Sequence, residues 1–140
     1  MADWKGKARS NYFEVKDEAA IHAWAETREV TLVLKTRDIG QRHDVRTFAL
    51  FSNTEDGSWP SYVNDEEIEW INEISDHLPE NEIVVLMEVG SEKSCYLTGT
   101  SIAFDHRGVE SIVKVDLNDI YLAAAEKFGV TVADISECTY

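Results

Sequence analysis

The sequence predicts an α+β fold: a largely antiparallel sheet of about five to six strands with about three helices packed on it. Two observations carry that expectation. β-branched and aromatic runs at residues 30–34, 45–51, 83–89 and 109–115 are bounded by Gly, Asp and Asn, as strands joined by hairpins would be. Between them, residues 18–28, 65–78 and 117–128 carry apolar side chains at helical spacing. The expected order is β-α-β-β-α-β-β-β-α.

Residues 1–9 hold Lys5, Lys7 and Arg9 with little apolar content and read as a flexible arm, leaving residues 10–140 as a single domain. Residues 11–15 read as a short strand. Asp17 is placed to cap a helix over 18–28, with Ala20, Ile21, Trp24 and Ala25 as its buried stripe. Residues 30–34 and 45–51 follow as strands around a turn at Gly40. A loop over 52–64 contains Trp59-Pro60, and Pro60 holds Trp59 extended. The spacing of Ile68, Trp70, Ile71, Ile74 and Leu78 predicts a helix over 65–78, capped by Asn64 or Asp65 and stopped by Pro79.

Residues 82–89 are apolar on both parities, as a central strand would be. Turns at 90–93 and 105–108 would flank a strand over 94–104, with 109–115 as the last strand. A helix over 117–128, capped by Asp116 or Asn118 and closed by Gly129, would turn Leu117, Ile120, Tyr121, Ala124 and Phe128 to the core.

Charge is distributed unevenly. Residues 47–92 contain twelve carboxylates and no Lys or Arg, a balance of −12, whereas residues 1–46 sum to +1 and residues 93–140 to −3. Such asymmetry sets up a directional field, and it disfavours direct contact with nucleic acid or an anionic membrane. On the predicted second helix, Glu66, Glu69, Glu73 and Asp76 would form a stripe. Over roughly 15 Å its charges would recur about every 5 Å, sparser than the phosphates of a DNA strand at about 3.4 Å but of the same order. Asp65 would lie on the same side of that helix, and Glu55, Asp56, Glu80 and Glu82 would thicken the stripe. Trp59 and Tyr62, just ahead of the helix, have the character of interface anchors, although Trp59 packed beneath the helix is the plainer alternative.

Chemistry-bearing motifs are missing. His22, His43, His77 and His106 share no metal-ligand spacing, and His77 suits a helix C-terminus as a partial cation. There is no nucleophile elbow, zinc-protease motif or phosphate-cradling glycine loop, so neither a catalytic residue nor a cofactor or metal is expected. Cys95 reads as a small core residue. Cys95 and Cys138 fit no redox spacing, which favours a reduced, cytoplasmic protein, with a single bridge between them as the alternative; there is no secretory leader pattern and no apolar run long enough for a membrane span.

The segment from Ser10 through Tyr12, Phe13, Glu14 and Ala20 to Trp24, and the stretch Val85-Leu86-Met87-Glu88-Val89-Gly90, resemble small acidic proteins encoded by phages, plasmids and integrated elements. In size and charge the chain is similar to anti-restriction and anti-CRISPR proteins. The resemblance implies a non-enzymatic, DNA-mimic type of inhibitor that occupies the basic surface of a nucleic-acid-binding host defence complex. An immunity protein or antitoxin against a basic nuclease, and a small metal- or ligand-binding enzyme domain, are the alternatives.

Overall fold

The sheet grows outward from the first strand. The computed structural model describes residues 4–63, 66–92 and 96–138, and in it β1 (Trp4–Ser10) lies between β3 (Arg42–Ser52) and β6 (Val84–Glu92). With β2 (Val30–Ile39), β7 (Tyr96–Phe104) and β8 (Val113–Asp116), the six-stranded order is β2-β3-β1-β6-β7-β8, antiparallel at every pairing. The α+β expectation holds, and the element order matches it apart from an added small hairpin, β4 (Tyr62–Val63) with β5 (Glu66–Glu67).

The flexible arm read over residues 1–9 is a misreading from Trp4 onward. Gly6, Ala8 and Ser10 alternate with Lys5, Lys7 and Arg9, and this period of two is a strand pattern whose inner positions are small rather than large. Ala8 and Ser10 are buried, and the Ser10 hydroxyl accepts the Leu50 N–H at 2.8 Å. Arg9 stays outside with its guanidinium 4.4 Å from the Phe51 ring centroid. The strand read over 11–15 shrinks to one bridge, Phe13 to Phe48.

Helix α1 (Glu18–Glu26) begins as expected, with the Asp17 carboxylate accepting the Ala20 N–H at 3.2 Å. The helix expected over 65–78 is corrected to the extended pair of β5 followed by α2 (Trp70–Ser75), whose N-cap is Glu69 rather than Asn64 or Asp65. The two helices cover the even-numbered face of β6, where Phe13, Ile21, Leu50, Ile74, Leu78, Val84 and Phe104 form the core.

The central strand expected over 82–89 is found, but the opposite face of β6, β7 and β8 is largely uncovered, and the core packing expected of the last helix fails. Met87 and Val89 are 51% and 52% exposed, so β6 is central in strand order yet open on one side. β6 continues through Gly90 to Glu92, where the sequence suggests a turn, and a 3-10 turn (Gly108–Ser111) precedes β8. Helix α3 (Asp119–Phe128) does end in the left-handed Gly129. It packs against the 3-10 turn Val132–Asp134 instead of the core, leaving Ile120 and Phe128 exposed and only Ala125 buried.

Candidate functional site

One loop is bound tightly to the edge of β1 and sets the site. The Gly6 N–H donates to the Asp56 carbonyl at 2.9 Å. Gly57 follows at φ 82, and a Cβ there would lie 1.8 Å from the Gly6 carbonyl oxygen, so only glycine fits. Asp56 folds the loop on itself: its Oδ1 accepts the Ser58 N–H at 3.0 Å, the Ser58 hydroxyl at 2.7 Å and the Thr54 hydroxyl at 3.1 Å. Those bonds, the Ser58 N–H and hydroxyl foremost, hold the Asp56 carboxyl below its ordinary pKa.

The loop then delivers Trp59. Its backbone N–H donates to Glu88 Oε1 at 2.9 Å, and the carbonyl of Pro60 accepts the Trp70 indole N–H at 2.8 Å. Trp59 and Trp70 stand 5.3 Å apart at 49°, and Trp70 meets Trp24 edge-on at 5.6 Å. The plainer reading of Trp59 is partly right, because it packs against the core cluster while keeping one side accessible.

Between this loop, β5–α2 and the even-numbered face of β6 and β7 lies a cleft of about 440 Å³. Ile68, Ile71, Leu86, Ile102 and Val109 supply its apolar surface, Trp59 and Trp70 its aromatic walls, and Glu67, Glu69 and Glu88 its carboxylates. It continues into an open groove of about 570 Å³ that adds Asp56, Ser58, Ser61 and Thr98. Volume and lining match a binding site for an organic group.

The acidic stripe does not form. Glu66 is exposed on β5, Glu69 is the N-cap of α2, and Asp76 is its exposed C-cap. Glu55 and Glu80 are exposed in loops. Glu73 turns inward: its Oε1 accepts the Trp24 indole N–H at 2.8 Å and the Arg28 Nε–H at 2.7 Å, and its Oε2 accepts the Glu69 N–H at 2.9 Å. Burial pushes the Glu73 pKa up, but these donors more than offset it and leave it lowered. Glu82 sits against Glu14, and burial together with that neighbour raises its pKa. The Tyr62 side chain, Asp65 and Cys95 lie outside the described residues. Cys138 is exposed and unbridged.

Of the residues singled out from sequence, then, Asp56, Trp59 and Glu69 meet at the cleft, while Glu73, Asp76, Glu80 and Glu82 go elsewhere. Glu67, Trp70 and Glu88 were missed. Glu88 had a signal, being a carboxylate on the same strand parity as buried Val84 and Leu86. His77 is also corrected: burial lowers its pKa beside Trp24, so it favours the neutral form rather than a helix-end cation.

Among the described residues no Lys or Arg lines the cleft; Lys114, paired in register with Ile102 and so on the cleft's side of the sheet, stands 3.9 Å from Asp116. Arg28, Arg42 and Arg46 are engaged by Glu73, Glu14 and Glu18. Lys5, Lys7, Arg9 and Lys35 share the odd-numbered face of the sheet, away from the cleft. Among the described residues, Glu73 is the sole acid from Glu55 to Glu88 in an ion pair. No group of three His, Cys, Asp or Glu among the described residues is placed to hold a metal ion, and no helix among them is long and apolar enough to cross a membrane. No protein-family model, curated protein or solved structure matches the chain.

Proposed function

We propose that this chain is a non-enzymatic acidic binding protein that occupies the cationic surface of a nucleic-acid-binding partner, in the manner of a DNA mimic, and does so in the cytoplasm. One observation carries the reading: among the described residues no base is ion-paired with the carboxylates that line the Trp59–Trp70 cleft, while Arg28, Arg42, Arg46 and Lys114 are paired with other acids and Lys5, Lys7, Arg9 and Lys35 face away. The decoy is therefore a rimmed cleft rather than the linear stripe the sequence suggested. An arrangement of this kind steers encounter with a cation and makes the association salt-sensitive.

The test starts with immobilised protein in a bacterial lysate at low salt, followed by purification of the retained basic protein. Displacement of labelled DNA from that protein is then measured by fluorescence anisotropy. Wild type should displace the DNA, and a variant with Glu66→Gln, Glu67→Gln and Glu69→Gln should require about tenfold more protein, on the scale of three weak charge contacts. A partner that keeps its full DNA affinity at saturating inhibitor sinks the proposal. So does a triple variant that competes as well as wild type.

A second reading, a domain for a small organic cation, is favoured by the concavity of the cleft and its aromatic walls.

A further inference from the structure

We infer that the Trp59–Trp70 cleft seats an arginine side chain carried on an extended basic segment of the partner. This rests on the acidic-docking reading above and assigns its anchor.

The lining narrows the occupant by elimination. Three carboxylates, Glu67, Glu69 and Glu88, oppose any anion. A wholly apolar ligand would cover those carboxylates and leave them without hydrogen bonds, which is costly. What fits is a cation with an apolar body. Glu88 is the fixed point, because the Trp59 N–H holds its Oε1 at 2.9 Å while β6 fixes its backbone. Among the described residues no protein group donates to its Oε2, so that oxygen is free to accept from a ligand.

A guanidinium uses this arrangement better than an ammonium. It is planar and stacks on an indole, its fork of N–H groups matches a carboxylate, and its methylene stem can lie on Leu86 and Ile102. Two indoles 5.3 Å apart and inclined at 49° give it a choice of faces. The groove that continues from the cleft is lined by Ser58, Ser61, Thr98 and Asp56. Those groups can accept backbone N–H groups of a chain running past the anchored side chain, which favours a polypeptide over a free ion.

The probes are capped pentaglycine peptides with a central arginine, lysine or citrulline, together with methylguanidinium as the free ion. Each is titrated at low salt into wild type and Glu88→Gln, with tryptophan fluorescence as the readout and the thermal midpoint as the control. The amide oxygen introduced by Glu88→Gln can still accept the Trp59 N–H, so the fold is spared. The arginine peptide should saturate and quench the indoles, with citrulline about tenfold weaker and lysine in between, the scale of one charge-assisted hydrogen bond. Glu88→Gln should weaken the arginine peptide about fivefold or more with its melting unchanged.

Equal binding of arginine and citrulline peptides overturns the inference, as does an unaltered affinity in Glu88→Gln. Methylguanidinium binding as tightly as the peptide overturns the partner-borne segment and identifies a small-cation site. If DNA displacement persists with full salt sensitivity while the arginine peptide fails to bind, the cleft assignment falls alone. If the peptide binds as expected while displacement fails, the acidic-docking reading falls alone.

Discussion

Replacing Glu73 by alanine separates the structure from the stripe that the sequence suggested. In the stripe, Glu73 is one of several exposed charges, and its removal changes stability by no more than about 0.5 kcal/mol. In the structure it is the acceptor for Trp24, Arg28 and the Glu69 N–H, and the Arg28–Glu73 pair is only about a quarter exposed, at 25% and 23%. Alanine leaves a guanidinium and an indole N–H without an acceptor. Hydrogen bonds to a charged group contribute roughly 1.5–3 kcal/mol each, and water reaching the pair discounts them, so the expected loss is about 2–3 kcal/mol.

For a chain of this size that loss lowers the melting temperature by roughly 6–12 °C. Glu73→Gln keeps an oxygen for Trp24 but abandons the charge on Arg28, and should cost about half as much. Calorimetry and urea melts at neutral pH measure both. The pH dependence follows from the lowered pKa: the contribution is complete above the unfolded value of 4.5 and is lost as pH falls through the lower folded value. An alanine variant that melts with wild type refutes the inward placement of Glu73.

Gly57→Ala should cost about 3 kcal/mol or more, since the new Cβ meets the Gly6 carbonyl and φ is positive; urea denaturation reads the loss, and Trp59 fluorescence should report a loosened loop. Asp17→Ala removes the acceptor for the Ala20 N–H and should lower stability by about 1 kcal/mol, measured in the same way. Glu82 works in the opposite sense to Glu73. Its raised pKa means that the folded state binds the proton more tightly than the unfolded chain, so it should add stability as pH falls through the raised folded value toward the unfolded value of 4.5. Glu82→Gln should raise stability at pH 7 and flatten that rise in pH-dependent melts; an unchanged pH profile would show that Glu82 does not carry it.

Where the sequence was legible, hydrophobic period and capping chemistry agreed. Asp17 at the start of α1 and Gly129 at the end of α3 are such places, and the antiparallel sheet followed from the β-branched runs. The reading of residues 65–78 as one helix went wrong through a conflict it contained. Glu66, Glu69 and Glu73 at helical spacing would repel one another with no base between them. The chain avoids this by extending residues 66 and 67 beside β4, where the Ile68 N–H finds the Ser61 carbonyl at 2.9 Å, and starting the helix only at Trp70. Ile68 and Ile74 are buried either way, so apolar spacing alone did not distinguish the two. α3 shows the converse: its apolar spacing is real, but no core lies within reach of Ile120 or Phe128. Trp70 and Glu88 belong to the cleft through contacts from distant parts of the chain, which periodicity does not encode.

Strand parity explains why the acidic field persists although the same sheet carries bases. β1 and β2 place Lys5, Lys7, Arg9 and Lys35 on one face, and β6 places Glu88 on the other. Charges on opposite faces of one sheet are separated by both side-chain lengths, a distance on the order of the screening length of about 8 Å at physiological salt. At that ionic strength the bases of the far face are partly screened from the cleft, and Lys114, on the cleft's own side of the sheet, stands 3.9 Å from Asp116. At about 0.01 M salt the screening length grows to roughly 30 Å, and the bases begin to cancel the acidic field. Association with a cationic partner should therefore strengthen less on dilution of salt than the carboxylate count alone implies. Lys5→Gln with Lys7→Gln should restore the missing steepness, so a salt slope left unchanged by that pair contradicts the separation of charge by parity.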